Sequence, residues 1–287
     1  MIIHASSATL AWGFLLAAIV ALAGWRLQAL SPGGALGATV IGGVVFGFGG
    51  LTWAVLLVAF FASSSLLSRL GRQQKTRNSY IEKSGPRDLV QTLANGGVAL
   101  LMALAVGALG RGSPWYPYIA LAFLGSLAAA TADTWATEIG LLAIHPPRRI
   151  TTGEPLQPGM SGGVTRFGLL GSLAGGAFIG VTAFSTIQAA SLLTTGQWFL
   201  NDGFLLVTLP VAGMLASLFD SFLGATVQRL YHCERCQMTT EKKVHDCGEK
   251  ARPVRGFPFM TNDMVNFLAT CVGALASILF SSPFLVS

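Results

Sequence analysis

Residues 115–143 read WYPYIALAFLGSLAAATADTWATEIGLLA. From Trp115 to Ala132 no residue is charged, and then Asp133 and Glu138 follow in the same apolar stretch. An uninterrupted apolar run of about 20 residues is what a helix needs to cross a bilayer. A carboxylate in that setting requires a partner, a cation or a water-filled cavity, so Asp133 and Glu138 mark a functional site.

The rest of the chain has the same character. Of 287 residues 52% are hydrophobic and only 10% charged, against about 25% charged in soluble domains. Residues 27–68, 167–201 and 264–287 carry no Lys, Arg, Asp or Glu. The pattern predicts an all-α, polytopic integral membrane protein of one domain (1–287). Eight transmembrane helices are expected, near 8–25, 34–49, 51–68, 88–110, 115–143, 164–190, 203–228 and 262–285. No basic cluster precedes the first apolar run, so that run reads as a retained span rather than a cleaved signal.

Basic residues set the expected orientation, because cytoplasmic loops collect Lys and Arg. Eight spans place Arg26, Arg87, Arg166 and the basic residues of loops 69–87, 144–163 and 229–261 on one side, and Arg111 alone on the other. Both termini then lie outside a cell membrane, with the three loops in the cytosol. The net charge of +6 fits orientation and contact with anionic lipid; an anionic substrate such as a nucleotide or phospholipid is a second source of the same bias. No nucleic-acid partner is expected.

Depth gathers the acids. Counting about 20 residues from Trp115 puts Asp133 and Thr134 at the inner surface, with Glu138 at or just beyond it. Asp220 lies a few residues before Arg229, Asn95 about two turns after Asp88, and Asn262, Asp263 and Asn266 open the last helix. Five elements thus bring carboxylates and amides to one leaflet. Asp133 and Glu138, five residues apart, diverge by about 140° on an ideal helix, so they grip different partners or the helix is deformed. A salt bridge to a loop Arg is the plainer reading for any one acid alone, and a weaker one for all of them together at one depth.

Gly168, Ser172, Gly176 and Gly180, with Gly171 and Gly175 beside them, form the small-xxx-small pattern of close helix packing. Just before them, Ser161, Gly162, Gly163 and Thr165 belong to a glycine-rich turn entering a helix, a place where backbone amides can meet phosphate. No Walker loop or H-E-x-x-H stretch is present. Cys233, Cys236, His245 and Cys247 have spacing that suits a structural Zn²⁺ site; free thiols are the alternative, and a disulfide is disfavoured in a loop facing a reducing cytosol.

TLANGG (92–97), ADTWATEIG (132–140), PGMSGGVTRFG (158–168), FDSFLGATVQ (219–228), the CxxC loop and TNDMVNFLAT (261–270) resemble, in this order, the integral membrane family called domain of unknown function 92. That family includes transmembrane protein 19 and the phytyl-phosphate kinase of plants and cyanobacteria. The resemblance implies a CTP-dependent phosphotransferase that converts an isoprenyl monophosphate to the diphosphate in phytol-type salvage. By position it points to Asn95, Asp133, Thr134, Glu138, Asp220, Ser221, Asn262, Asp263 and Asn266. Where the family usually has Thr-Asn before the Gly-Gly pair, this chain has Met160 and Ser161, so Ser161 must serve if that Asn contacts substrate.

The chemistry is compatible. A phosphomonoester with a second pKa near ~6 is already ionised at neutral pH and needs no strong base to attack a γ-phosphate. The demand is for charge neutralisation and positioning, which carboxylate-held Mg²⁺, amides and basic residues supply. Asp133, Glu138, Asp220 and Asp263 are the expected Mg²⁺ ligands. Two other readings stay open: a CTP-dependent lipid cytidylyltransferase, attacked at the α-phosphate, and a lipid or ion transporter.

Overall fold

A computed structural model describes residues 7–70, 85–197 and 200–285. Most of the basic residues expected in loop 69–87 therefore lie outside the described residues. Seven apolar helical segments are long enough to span a bilayer, and one of them, Pro32–Leu70, is 39 residues long. That segment is bent back on itself. Pro32–Val44 (α2) continues through a wide π turn, Val45–Gly49, and then Gly50 takes φ +76°, which ends the helical path before Gly50–Leu70 (α3). The two arms run in opposite directions: Gly37, Ile41 and Phe48 lie in turn against Leu89, Gly96 and Gly107, whereas Ser65 near the end of α3 returns to Arg87. The segment therefore contributes two arms, and eight helices are seen among the described residues.

The remaining helices are Ser7–Arg26 (α1), Leu89–Leu109 (α4), Tyr116–Gly140 (α5), Arg166–Thr195 (α6), Leu205–Thr226 (α7) and Asn262–Ser281 (α8). Their starts follow ordinary capping chemistry. The Ser31 hydroxyl accepts the Gly34 amide, Asp88 and Gln91 form a reciprocal capping box, and Thr165 and Thr261 cap α6 and α8. Each cap satisfies amides that the apolar interior could not. The largest departures from the expected bounds are of five residues: α6 runs to Thr195, past 190, and α2 ends at Val44, short of 49, where the π turn takes over.

Helix α5 occupies the centre, packing against α3, α4, α6, α7 and α8. Its residues Leu121–Ala132 are buried on every side, which is possible because Ala, Gly and Ser let neighbours approach from all directions. A Cβ on Gly175 would lie 2.9 Å from Ala132 Cα, and one on Gly176 2.8 Å from Pro210 Cα. The glycine stripe of α6 thus seats it between α5 and α7.

Two cytosolic loops of the sequence reading contain short strands. Arg148–Arg149 (β1) pairs antiparallel with Gly163–Val164 (β2), and Leu230–Cys233 (β3) pairs with both Met238–Thr240 (β4) and Arg252–Arg255 (β5). The described chain ends and Arg111 share one face of the bundle. Leu10 lies against Gly47, Arg111 donates to the Phe48 carbonyl at 2.9 Å, and Phe204 stacks on Phe284. The strands lie at the opposite face.

Candidate functional site

Burial along α5 is broken at Asp133, where the helix meets a cavity of about 600 Å³ opening at the strand-bearing face. The cavity gathers Asn95 from α4, Asp133, Thr134 and Glu138 from α5, Asp220 and Ser221 from α7, and Asn262 and Asn266 from α8. Ser161, Gly162, Gly163 and Thr165 form part of its wall. Asp263 is the exception. It is buried in the first turn of α8 but is absent from the cavity lining, because it stands about 100° around the helix from the Asn262–Asn266 stripe. The expected four-acid convergence is thus corrected to three.

The two acids of α5 do face different partners, and the helix between them is regular. Asp133 points toward α7, where its Oδ1 lies 3.5 Å from the Ser217 hydroxyl and its charge is felt by Asp220. Ser217 and Asp220 are three apart and so share one face of α7. Asp220 Oδ2 is buried with no hydrogen-bond partner. Glu138, by contrast, points toward α3 and accepts the Ser68 hydroxyl at 2.6 Å, within electrostatic reach of Arg87.

Several expected contacts are already committed within the protein. Asn95 Nδ2 donates to the Gln91 carbonyl at 3.0 Å, Thr134 Oγ1 to the Ala130 carbonyl at 2.9 Å, and Thr165 Oγ1 accepts the Gly168 amide at 2.9 Å. Gly162, at φ +85°, is required where the turn crosses the end of α7, since a Cβ there would strike Ala225. Gly163 belongs to β2. The glycine-rich turn is therefore first a packing and pairing element, and only its exposed parts are open to a ligand.

Arg87, Arg69, Gln91, Ser217 and Glu241 also line the cavity and were not singled out as site residues from the sequence. Arg87 is fixed from two directions, donating to Ser65 Oγ at 3.1 Å with its guanidinium 5.9 Å from the Phe61 ring centre. Its signal was its place beside Asp88 at the head of a span. Ser217 could have been found from its spacing to Asp220. Glu241 comes from just after β4 and accepts a hydrogen bond from Ser161.

Outside the cavity, Cys233, Cys236, His245 and Cys247 bring one ligand atom each to within 4.8 Å of one another. The Cys247 thiol is pulled down to about 6, chiefly by the Glu249 amide and then by His245. Cys236 is pushed up to about 11, first by its hydrogen bond to Cys247. Cys271 sits apart in α8.

Three relatives align along nearly their whole lengths. Protein PGR of Arabidopsis thaliana is 29% identical over 277 residues, 91% of this chain and 92% of its own. An uncharacterized membrane protein of Methanocaldococcus jannaschii is 27% identical, covering 92% of this chain and 91% of its own. Another, from Synechocystis, is 28% identical, covering 95% and 89%. No solved structure matches. The family described as integral membrane protein DUF92 matches residues 15–274, and with that span this membrane protein belongs to it.

Proposed function

We propose that the protein is a phosphotransferase for a membrane-borne isoprenyl monophosphate, using a nucleoside triphosphate, CTP by family resemblance, as donor. The observation that carries this reading is the composition of the cavity. Its lining includes the apolar Val20, Leu27, Val58, Phe61 and Leu66, from α1, the turn after it and α3, together with the polar Asp133, Asp220, Asn262 and Asn266 and the basic Arg69 and Arg87. Such a site suits a ligand with a hydrocarbon tail and a polyanionic head. Its volume of about 600 Å³ falls in the range of small-ligand sites, roughly 300–1,000 Å³.

Asp133 and Asp220 fit a divalent cation. Their charges oppose one another, and Asp220 Oδ2 lacks a hydrogen-bond partner, a buried arrangement that is costly without a counter-ion. Mg²⁺ held there supplies charge neutralisation at the phosphates. Glu138 is set apart by Ser68 and Arg87, so its part is to hold the Arg87 guanidinium toward an anionic headgroup. Arg87 and Arg69 orient the acceptor phosphate, and Asn262 and Asn266 offer amides to the donor phosphates. The acceptor oxygen bonds to the γ-phosphorus as the bond to the β,γ-bridging oxygen breaks, and the nucleoside diphosphate leaves with that electron pair.

Purified protein in detergent with Mg²⁺, CTP and phytyl or geranylgeranyl phosphate tests this. Formation of prenyl diphosphate with an equal amount of CDP is expected. Formation of a CDP-linked lipid with release of pyrophosphate would instead assign a cytidylyltransferase, and no turnover with any nucleoside triphosphate would overturn the enzyme reading.

A further inference from the structure

The cysteine cluster at the strand-bearing face takes no part in the proposed transfer, yet its geometry is specific. Cys233 Sγ and Cys247 Sγ are 3.6 Å apart, and His245 Nδ1 is 3.3 Å from Cys247 Sγ. A disulfide would bring two sulfurs to about 2.05 Å. Thiolates at about 2.3 Å from a shared tetrahedral zinc stand near 3.8 Å from each other, and an imidazole nitrogen slightly closer. The four ligand atoms, all within 4.8 Å, are therefore spaced as around one ion.

The backbone is built in two matching turns. Cys233 ends β3 and Cys236 is followed by Gln237 at φ +52°, at the turn into β4. His245 and Cys247 are followed by Gly248 at φ +83°, whose amide donates to the His245 carbonyl at 2.9 Å. A glutamine in the left-handed region is uncommon and is kept only when its surroundings impose it. Each turn thus presents two ligands and reverses immediately afterward.

We propose that Cys233, Cys236, His245 and Cys247 hold one structural zinc ion, and that this clip sets the β3–β4 hairpin so that Glu241 reaches the cavity wall at Ser161. Four protein ligands close the coordination shell and leave no position for substrate. The route to the cavity is short: β4 ends at Thr240, and the next residue, Glu241, accepts the Ser161 hydroxyl hydrogen bond. On the other side, Arg255 of β5 donates to the Gly224 carbonyl near the end of α7. The clipped sheet is thereby joined to two elements of the cavity. The inference does not depend on phosphotransfer, because its readout is metal.

Protein purified without chelator should contain about one zinc per chain by elemental analysis, as one four-ligand site holds. Cys236→Ser and Cys247→Ser should lose it, and Cys271→Ser should keep it. On the unaltered protein, a strong chelator should expose loop 229–261 to protease, and added Zn²⁺ should restore protection; this arm holds even if a cysteine variant fails to fold. Replacement by Co²⁺ should give the intense thiolate-to-metal absorption of a sulfur-rich tetrahedral site. Metal-free protein with a loop indifferent to chelator and zinc, or full zinc content in Cys236→Ser and Cys247→Ser, would overturn the proposal.

Discussion

Asp133 of α5 and Asp220 of α7 face each other across a helix contact, close enough for their charges to interact, and the buried Oδ2 of Asp220 has no hydrogen-bond partner. Close packing of the two helices is possible because Gly213, about two turns before Asp220 on the same face of α7, carries no side chain: a Cβ there would lie 2.9 Å from the Ala128 carbonyl. Two carboxylates of like charge at such a place favour a shared cation. Asp133→Asn and Asp220→Asn are each expected to lower prenyl diphosphate formation by about 10²-fold or more, the scale of losing electrostatic stabilisation at a transferring group. Neither should unfold, since relieving charge repulsion does not remove packing. Near-normal turnover in both would return the acids to a structural role.

Arg87 carries the second prediction. It is held by Ser65 and Phe61 and faces Glu138 within the cavity. Its backbone separately ties the α1–α2 turn, because Arg87 N donates to Ala29 O and Ser31 N donates to Arg87 O. Arg87→Gln keeps those backbone bonds and removes the charge. An Arg–phosphate hydrogen bond is worth about 1.5–3 kcal/mol, so KM for the prenyl phosphate should rise by about tenfold or more while KM for the nucleotide changes little. Equal effects on both would show that Arg87 acts on folding or on the donor instead.

Helix seating supplies the third. Gly175 lies against the backbone of α5, with its absent Cβ 2.9 Å from Ala132 Cα, and backbone cannot move aside as a side chain can. Gly175→Leu should destabilise the detergent-solubilised protein by more than the about 1–3 kcal/mol typical of overpacking, read as a clear fall in thermal unfolding temperature. Gly203→Ala, where nothing lies within 4 Å of a Cβ, should leave it unchanged. A Gly175→Leu protein as stable as the parent would mean that α5 and α6 are less closely seated.

What the sequence disclosed and what it hid follow from the same physics. Apolar length marked the helices, and depth along each span brought Asn95, Asp133, Asp220 and Asn262 to one level. Depth says nothing of azimuth, which is why Asp263 was grouped with Asn262 although it faces elsewhere on α8. The helix periodicity contained that correction. Arg87 and Glu241 were harder to see, because a loop residue reaches a cavity through tertiary packing that local pattern does not encode. Strands of 2–4 residues are too short to show alternation, so the sheet around the cysteines read as loop.

The orientation of the bundle gives the last prediction. Arg111 stands at the face where Phe48 and Gly50 turn the chain, and its guanidinium is occupied by the Phe48 carbonyl. The opposite face carries Arg148, Arg149, Arg229, Lys242, Lys243 and Arg255 among the described residues. Basic residues are retained on the cytoplasmic side during insertion, so the cavity should open to the cytosol, where nucleoside triphosphates are. Gly112 has open space around it, which makes it a harmless site for a reporter thiol. In intact cells Gly112→Cys in a Cys271→Ser background should react with a membrane-impermeant maleimide. Lys243→Cys in the same background should react only after permeabilisation. The reverse pattern would place the acids on the side without nucleotide and would remove the donor from the proposed reaction, leaving an external lipid ligand as the occupant of the cavity.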